Sequence, residues 1–202
     1  MPPWETAEDR ALTLFGARAE AGLALKREAG AVGRACRAMA GRFRRGGTLY
    51  TFGAGVAAAD AAHIAVEFVH PVIVGKRALP AVPLNCETAP LTGEGAAEAF
   101  AARLESMAEP RDIVLALSSD GRCAAVLRGL DKARERGALT VALTGAGGGE
   151  LAGGPAVDHL IVAASDDPRV VREMHVTVYH VLWELVHVFL ERPGDLEQEA
   201  FS

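Results

Sequence analysis

The chain has 202 residues, 50% of them hydrophobic and 23% charged, which is enough apolar material for a packed core and excludes wholesale disorder. A formal net charge of −5 disfavours a general nucleic-acid binder. No run reaches the roughly 18 uninterrupted apolar residues of a membrane span, so neither nucleic acid nor membrane is an expected partner. Three cysteines (Cys36, Cys86 and Cys123) are too few and too scattered for a disulfide framework or a zinc knuckle. Reduced thiols in a cytoplasmic protein are expected.

The opening Met1-Pro-Pro-Trp-Glu5 lacks the apolar stretch of a signal peptide. Residues 5–44 read as helical, with Leu12, Leu14, Phe15, Leu23 and Leu25 at helix spacing and Gly30 and Gly33 dividing two helices. Thr48–Phe52 is a short β-rich run. Gly53-Ala54-Gly55 and an Ala-rich helix through Val69 follow it. Pro80–Leu84 reads as an edge strand because of its prolines. Asp112–Leu117 and Leu139–Thr144 are near-continuous apolar strands of the kind buried on both faces of a parallel sheet. A helix over roughly 122–136 lies between them, ended by Gly137. A glycine cluster occupies 145–149, His159–Ala163 is a further strand, and a long helix runs from about Pro168 to Glu191. Strands alternating with helices predict a doubly wound α/β domain with right-handed crossovers. One domain is expected over 1–202: N-terminal helices at about 5–44, an α/β core at about 47–192 and a frayed tail at 193–202.

In such sheets ligands sit at the carboxyl ends of strands, which directs attention to 53–57 and 118–123. Gly53-Ala54-Gly55 is an incomplete dinucleotide fingerprint because residue 58 is Ala, and a tight strand-to-helix turn explains both glycines. Ser118 and Ser119 combine hydroxyls with the first amides of a helix, which makes an anion site. Asp120 offers the opposite reading, since as an N-cap it would satisfy those amides itself and repel a phosphate, with Arg122 to offset its charge. His63 and Glu67, four residues apart, share one helix face and suit metal binding or proton transfer. Glu173, His180, Glu184 and His187 fall near one stripe of the last helix. His70, His159 and His175 carry no such signal.

These segments have a familiar order. Phe52-Gly-Ala-Gly-Val-Ala-Ala-Ala-Asp-Ala-Ala-His-Ile-Ala-Val-Glu67, Gly137–Gly145, Gly147-Gly-Gly-Glu-Leu-Ala152 and Arg172-Glu-Met-His-Val-Thr-Val-Tyr-His180 together resemble the sugar isomerase (SIS) domain family, in its phosphoheptose isomerase branch. The resemblance covers about 10 to 190. It implies a flavodoxin-like three-layer α/β/α sandwich that forms a homodimer or homotetramer with sites at subunit interfaces. It also implies aldose–ketose isomerisation of a sugar phosphate, with Glu67 and His180 as the acid/base pair. In metal-containing members zinc is held by His, Glu, Gln and His, and the matching positions here are His63, Glu67, Arg172 and His180. Arg172 cannot ligate a cation; pairing with Glu67 is the role expected of it, lowering that carboxyl's pKa.

The chain also departs from the family's phosphate loop. Ser-Thr-Ser-Gly-Asn-Ser becomes Ser118-Ser119-Asp120-Gly121-Arg122-Cys123, so two of the three serines are Asp and Cys. Ala54 stands for an Asn of the first glycine loop, and Leu91–Gly95 is a poor counterpart of a Gly-Asn-Asp motif. The expectation is therefore a SIS-domain protein that binds a sugar or sugar derivative, an aldose–ketose isomerase of the family's kind but not a standard phosphoheptose isomerase. The alternative is a non-catalytic sugar sensor or protein-binding adaptor, since relatives include a replication regulator that binds an initiator protein.

Overall fold

The computed structural model describes residues 6–71, 73–84, 96–154 and 157–192. The expected tail at 193–202, Cys86 and the Leu91–Gly95 segment lie outside them. Helix α1 (Ala7–Ala24) opens with a reciprocal cap: the Thr6 hydroxyl accepts from the Asp9 amide at 3.1 Å, and Asp9 Oδ2 accepts from the Thr6 amide at 3.2 Å. A 3₁₀ turn over Leu25–Glu28 separates α1 from α2 (Ala29–Arg44). The break thus falls before the expected divider, and Gly30 and Gly33 both lie inside α2. Packing explains the difference. Val32, Cys36, Met39 and Phe43 form one buried stripe of α2, and burying it outweighs the roughly 1 kcal/mol that each interior glycine costs.

Among the described residues, five parallel strands form one sheet in the order β2-β1-β3-β4-β5: β1 (Leu49–Gly53), β2 (Ala81–Pro83), β3 (Ile113–Ser118), β4 (Leu139–Thr144) and β5 (His159–Val162). This is the flavodoxin-like order, and β2 is the short, proline-ended edge strand. Alternation along β3 shows the three layers. Ile113, Leu115 and Leu117 pack with α2, α3 (Ala57–Val69) and α6 (Pro168–Glu191). Val114 and Ala116 pack on the other face with Phe100 and Leu104 of α4 (Ala99–Met107) and Leu130 of α5 (Ala124–Glu135).

The order of strands reverses between β1 and β3, where Gly53 lies beside Leu117. Helix α3 leaves one strand and α5 the other, on opposite faces, so a crevice opens at their carboxyl ends. Two glycines shape it. A Cβ on Gly53 would lie 2.8 Å from the Ala57 Cβ, so only glycine lets α3 start this close to the strand. Gly121 has φ +68°, and a Cβ there would lie 2.0 Å from the Gly148 carbonyl oxygen, so the loop after β3 rests on the glycine run after β4. That run has positive φ at Gly147, Gly148 and Gly149, a kink that interrupts the short helical turns within Ala146–Ala152.

Candidate active site

Helices α3 and α6 meet along a polar seam. Ala61, Ile64, Ala65 and Phe68 turn the inner face of α3 into the core, and the Thr51 hydroxyl donates to the Ala61 carbonyl at 2.7 Å. That orientation leaves Asp60, His63 and Glu67 on the flank toward α6, at i, i+3 and i+7. Glu67 is buried, 8% exposed, while the side chains of His63 and His180 reach solvent. His63 Nε2 lies 3.2 Å from Glu67 Oε1, and the ligating atoms of His63, Glu67 and His180 all fall within 4.8 Å of one another. Tyr179 packs its ring against His180 at 4.7 Å and His63 at 5.7 Å. Burial, with Asp60 and Glu67 nearby, pushes its hydroxyl up to about 12, so it stays protonated as a neutral wall of the cluster.

One to two turns toward the amino end of α3, the seam is closed. Arg172 Nε donates to Asp60 Oδ2 at 2.7 Å and Nη2 donates to Oδ1 at 3.0 Å, a bidentate pair. Arg172 therefore does not pair with Glu67, as the sequence had suggested. Asp60 is nearer along the seam and, being only 6% exposed, needs a charge partner. Glu67 is left free of the guanidinium. The expected stripe of α6 also divides. Glu173 pairs with Arg18 at 2.7 Å. His187 is buried against the Trp183 and Arg77 carbonyls at 2.8 and 3.0 Å, and only His180 joins the cluster.

The loop after β3 borders a cleft of about 370 Å³ lined by Ala54, Gly55, Ser118, Ser119, Asp120, Arg122 and Cys123. Asp120 does not cap α5. The N-cap is Cys123, which makes no side-chain cap bond. Asp120 Oδ1 instead accepts from the Arg122 amide at 3.0 Å and from the Ser118 hydroxyl at 3.4 Å. Ser118 Oγ in turn accepts from the Gly121 amide at 3.0 Å. The loop has spent two of its amides on its own side chains, and the exposed Ser119 hydroxyl keeps no such bond among the described residues.

A family model described as SIS domain matches residues 18–145. The phosphoheptose isomerase of Roseiflexus sp. (strain RS-1) is 39% identical over 151 residues, 71% of this chain and 74% of its own. The chain belongs to the SIS-domain family, in its phosphoheptose isomerase branch. The Aquifex aeolicus phosphoheptose isomerase is 36% identical over 145 residues, 70% of this chain and 75% of its own. Among solved structures, the Francisella tularensis phosphoheptose isomerase superposes with a TM-score of 0.83 at 22% identity, over 90% of this chain and 98% of that one. The SIS fold also recurs at a TM-score of 0.61 and 18% identity in the Vibrio vulnificus NanR protein complexed with ManNAc-6P, over 93% of this chain and 67% of that one.

Within this SIS domain the structure thus brings His63, Glu67 and His180 together across α3 and α6, and gathers Gly53, Ala54, Gly55, Ser118, Ser119, Asp120 and Arg122 at the ends of β1 and β3. Arg172 stands between the two groups. Three residues escaped the sequence reading: Asp60, Tyr179 and His175. Asp60 was legible in principle, as a carboxylate three positions before His63 on an Ala-rich helix. His175 looked ordinary and is 4% exposed; no local pattern distinguishes it.

Proposed function

We propose that this protein is an aldose–ketose isomerase acting on a sugar phosphate of the phosphoheptose class, with Glu67 and His180 as the proton-transfer pair. The observation that carries this reading is the convergence of Glu67, His180 and His63 on one half-buried point, in a chain whose relatives are phosphoheptose isomerases. The buried Glu67 carboxylate would take the proton from C2 of the aldose and return it to C1. His180 would give a proton to the oxygen on C1 and take one from the oxygen on C2, so that the sugar leaves as its ketose with no net proton change. With Nε2 protonated, His63 donates to Glu67 and keeps it an acceptor.

The same three donors fit a divalent metal such as zinc. Two imidazoles and one carboxylate with an open fourth position is a donor set of catalytic zinc sites. The guanidinium that replaces the fourth ligand is held away by Asp60. A bound zinc would supply Lewis-acid polarisation of the sugar oxygens. Phosphate would be held at 118–123 by Ser118, Ser119 and the amides of α5, with Arg122 against the charge of Asp120.

Glu67 lies about 15 Å along α3 from Ala57 at the cleft. A substrate worked by one copy must lie extended along the seam, or a neighbouring copy completes the site. We propose a homodimer or homotetramer; α1 exposes Leu12 (63%), Phe15 (69%) and Leu23 (61%), which suits an interface. The free thiols of Cys36 and Cys123 suit the cytoplasm, and the whole chain is proposed to act as one SIS domain.

A second reading, a sugar-phosphate sensor or adaptor without turnover, is favoured by the way Asp120 occupies its own loop. Incubation with sedoheptulose 7-phosphate in deuterated water separates the two. Deuterium entering the sugar at C1 or C2, lost in Glu67→Gln and His180→Ala, is the isomerase result. Binding without exchange by the wild type would falsify it and leave the sensor.

A further inference from the structure

The cleft lies at the carboxyl ends of the strands. At the opposite pole α2 ends just before β1, the segment after α3 leads into β2, and α6 finishes. Arginine gathers there. Between Ala29 and Arg45 the sequence has five arginines and no acidic residue, although the whole chain carries a net charge of −5. An open cavity of about 470 Å³ is lined by Arg37, Gly41, Arg44 and Arg45. The walls of a second, of about 460 Å³, include Arg44, Arg77, His187 and Glu191. Arg44 stands in both.

Ordinary structural roles account for only some of these guanidiniums. Arg42 donates to the Gly137 carbonyl at 3.2 Å, and Arg37 lies over the Phe189 ring, 5.6 Å from its centre. The end of α2 needs no arginine cap. The Arg45 and Gly47 amides donate to the Arg42 carbonyl and the Gly46 amide to the Phe43 carbonyl, each at 3.0 Å. Glu191 is already taken by Lys76 at 2.6 Å. Arg44, Arg45 and Arg77 are exposed, and among the described residues none of their guanidiniums has an ion pair or a hydrogen bond. Gly41 gives the first cavity its floor. A glycine inside a helix is costly relative to alanine, yet a Cβ here would meet nothing nearer than Arg45 Nη1 at 3.7 Å, so packing does not demand one. What the glycine provides is open space between arginines.

We propose that this pole is an anion site separate from the cleft, which takes a small molecule carrying two linked phosphate groups. Arg44 lies between the phosphates, Arg45 holds one and Arg77 the other, with Arg37 fixed by Phe189 at the wall. Planar guanidinium forks match phosphate oxygens two at a time, which an ammonium does not. Two lobes sharing one arginine suit two charges joined by a short bridge better than a single phosphate. The site does not depend on the isomerase reading.

Inorganic pyrophosphate is the probe, titrated calorimetrically into the full chain at low ionic strength. It binds at least about tenfold more tightly than inorganic phosphate, because both lobes are engaged. Arg44→Gln weakens it by roughly tenfold or more, as loss of a charge-assisted contact should, and Arg45→Gln and Arg77→Gln weaken it less. Arg122→Gln in the cleft and Arg134→Gln on α5 leave it unchanged. Gly41→Leu keeps every charge, places a better helix former in α2 and fills the floor, so affinity falls about tenfold with no loss of Tm. If Arg44→Gln has no effect, or Arg122→Gln abolishes binding, the pole is not the site. Weakening by Arg44→Gln but not by Gly41→Leu would mean a diffuse positive field with no built pocket, and the proposal is wrong. It is equally wrong if pyrophosphate binds no better than phosphate, or if only a single-stranded oligonucleotide binds, which would mark a macromolecular surface instead.

Discussion

The α3–α6 seam and the loop after β3 are both polar, and they treat their polar groups in opposite ways. Along the seam, the ligating atoms of His63, Glu67 and His180 gather within 4.8 Å of one another, with both imidazoles open to solvent. In the loop, Asp120 takes the Arg122 amide and the Ser118 hydroxyl, and Ser118 takes the Gly121 amide, so much of the hydrogen-bonding capacity closes on itself. The Asp60–Arg172 pair, although on the seam, behaves like the loop: two charges that would disturb the site neutralise one another. The lesson is that residue type alone does not mark a functional group. What marks it is whether a half-buried polar group has been satisfied internally.

Glu67→Gln is the largest expected perturbation. Removing the proposed base should lower kcat by about 10²–10⁴ while the far-ultraviolet circular dichroism spectrum is unchanged, since general acid–base catalysis contributes about that much. A small loss would mean that the open part of the seam is not the reacting centre. Asp60→Asn attacks the closed part. It replaces a charged bidentate acceptor with a neutral amide, and hydrogen bonds to charged groups are worth about 1.5–3 kcal/mol. At roughly 2–4 °C per kcal/mol, thermal denaturation should shift down by about 3–12 °C. The freed Arg172 should also reduce activity by competing for Glu67.

The loop makes the converse prediction. Asp120→Ser removes the negative charge and restores a hydroxyl, so the Kd for a sugar phosphate in a calorimetric titration should fall about tenfold, roughly 1.4 kcal/mol. Unchanged affinity would show that Asp120 already faces away from the ligand.

The smallest effect is on acid stability. His175 and His159 have pKa values pushed below 6.5 by burial. The unfolded chain then binds protons at these rings that the folded chain does not, so their contribution is present above about pH 6.5 and is lost as pH falls toward the depressed values. His175→Gln should flatten that limb of a denaturation profile between pH 7 and 5. A limb of unchanged slope would indicate that His175 is not a buried neutral ring.

Periodicity and punctuation carried a good deal of this. The strand at Leu139–Thr144 and the helix from Pro168 to Glu191 match their expected limits, because a continuous apolar run between turns and a proline at a helix start are local signals. The helix break, by contrast, falls at Leu25–Glu28 and not at Gly30 and Gly33, because a glycine's cost is small beside the stripe that α2 buries. His63 and Glu67 were legible as a pair by spacing on one helix, and His180 joined them through the family resemblance. The partner of Arg172 was not legible: two residues 112 apart in sequence meet only once α3 and α6 pack.

By itself the sequence determined the alternating strands and helices, the parallel sheet, and the residue types available for proton transfer. These follow from short-range periodicity and side-chain chemistry, which any window of the chain displays. Only the tertiary structure decided which polar groups neutralise each other and which remain open: Asp60 with Arg172, Asp120 with its own loop, Glu67 with two imidazoles, and His175 with a buried ring nitrogen that has no partner among the described residues. That choice depends on distances of a few ångströms between elements far apart in the chain, where burial makes each unpaired polar group expensive and so sharply selects its partner.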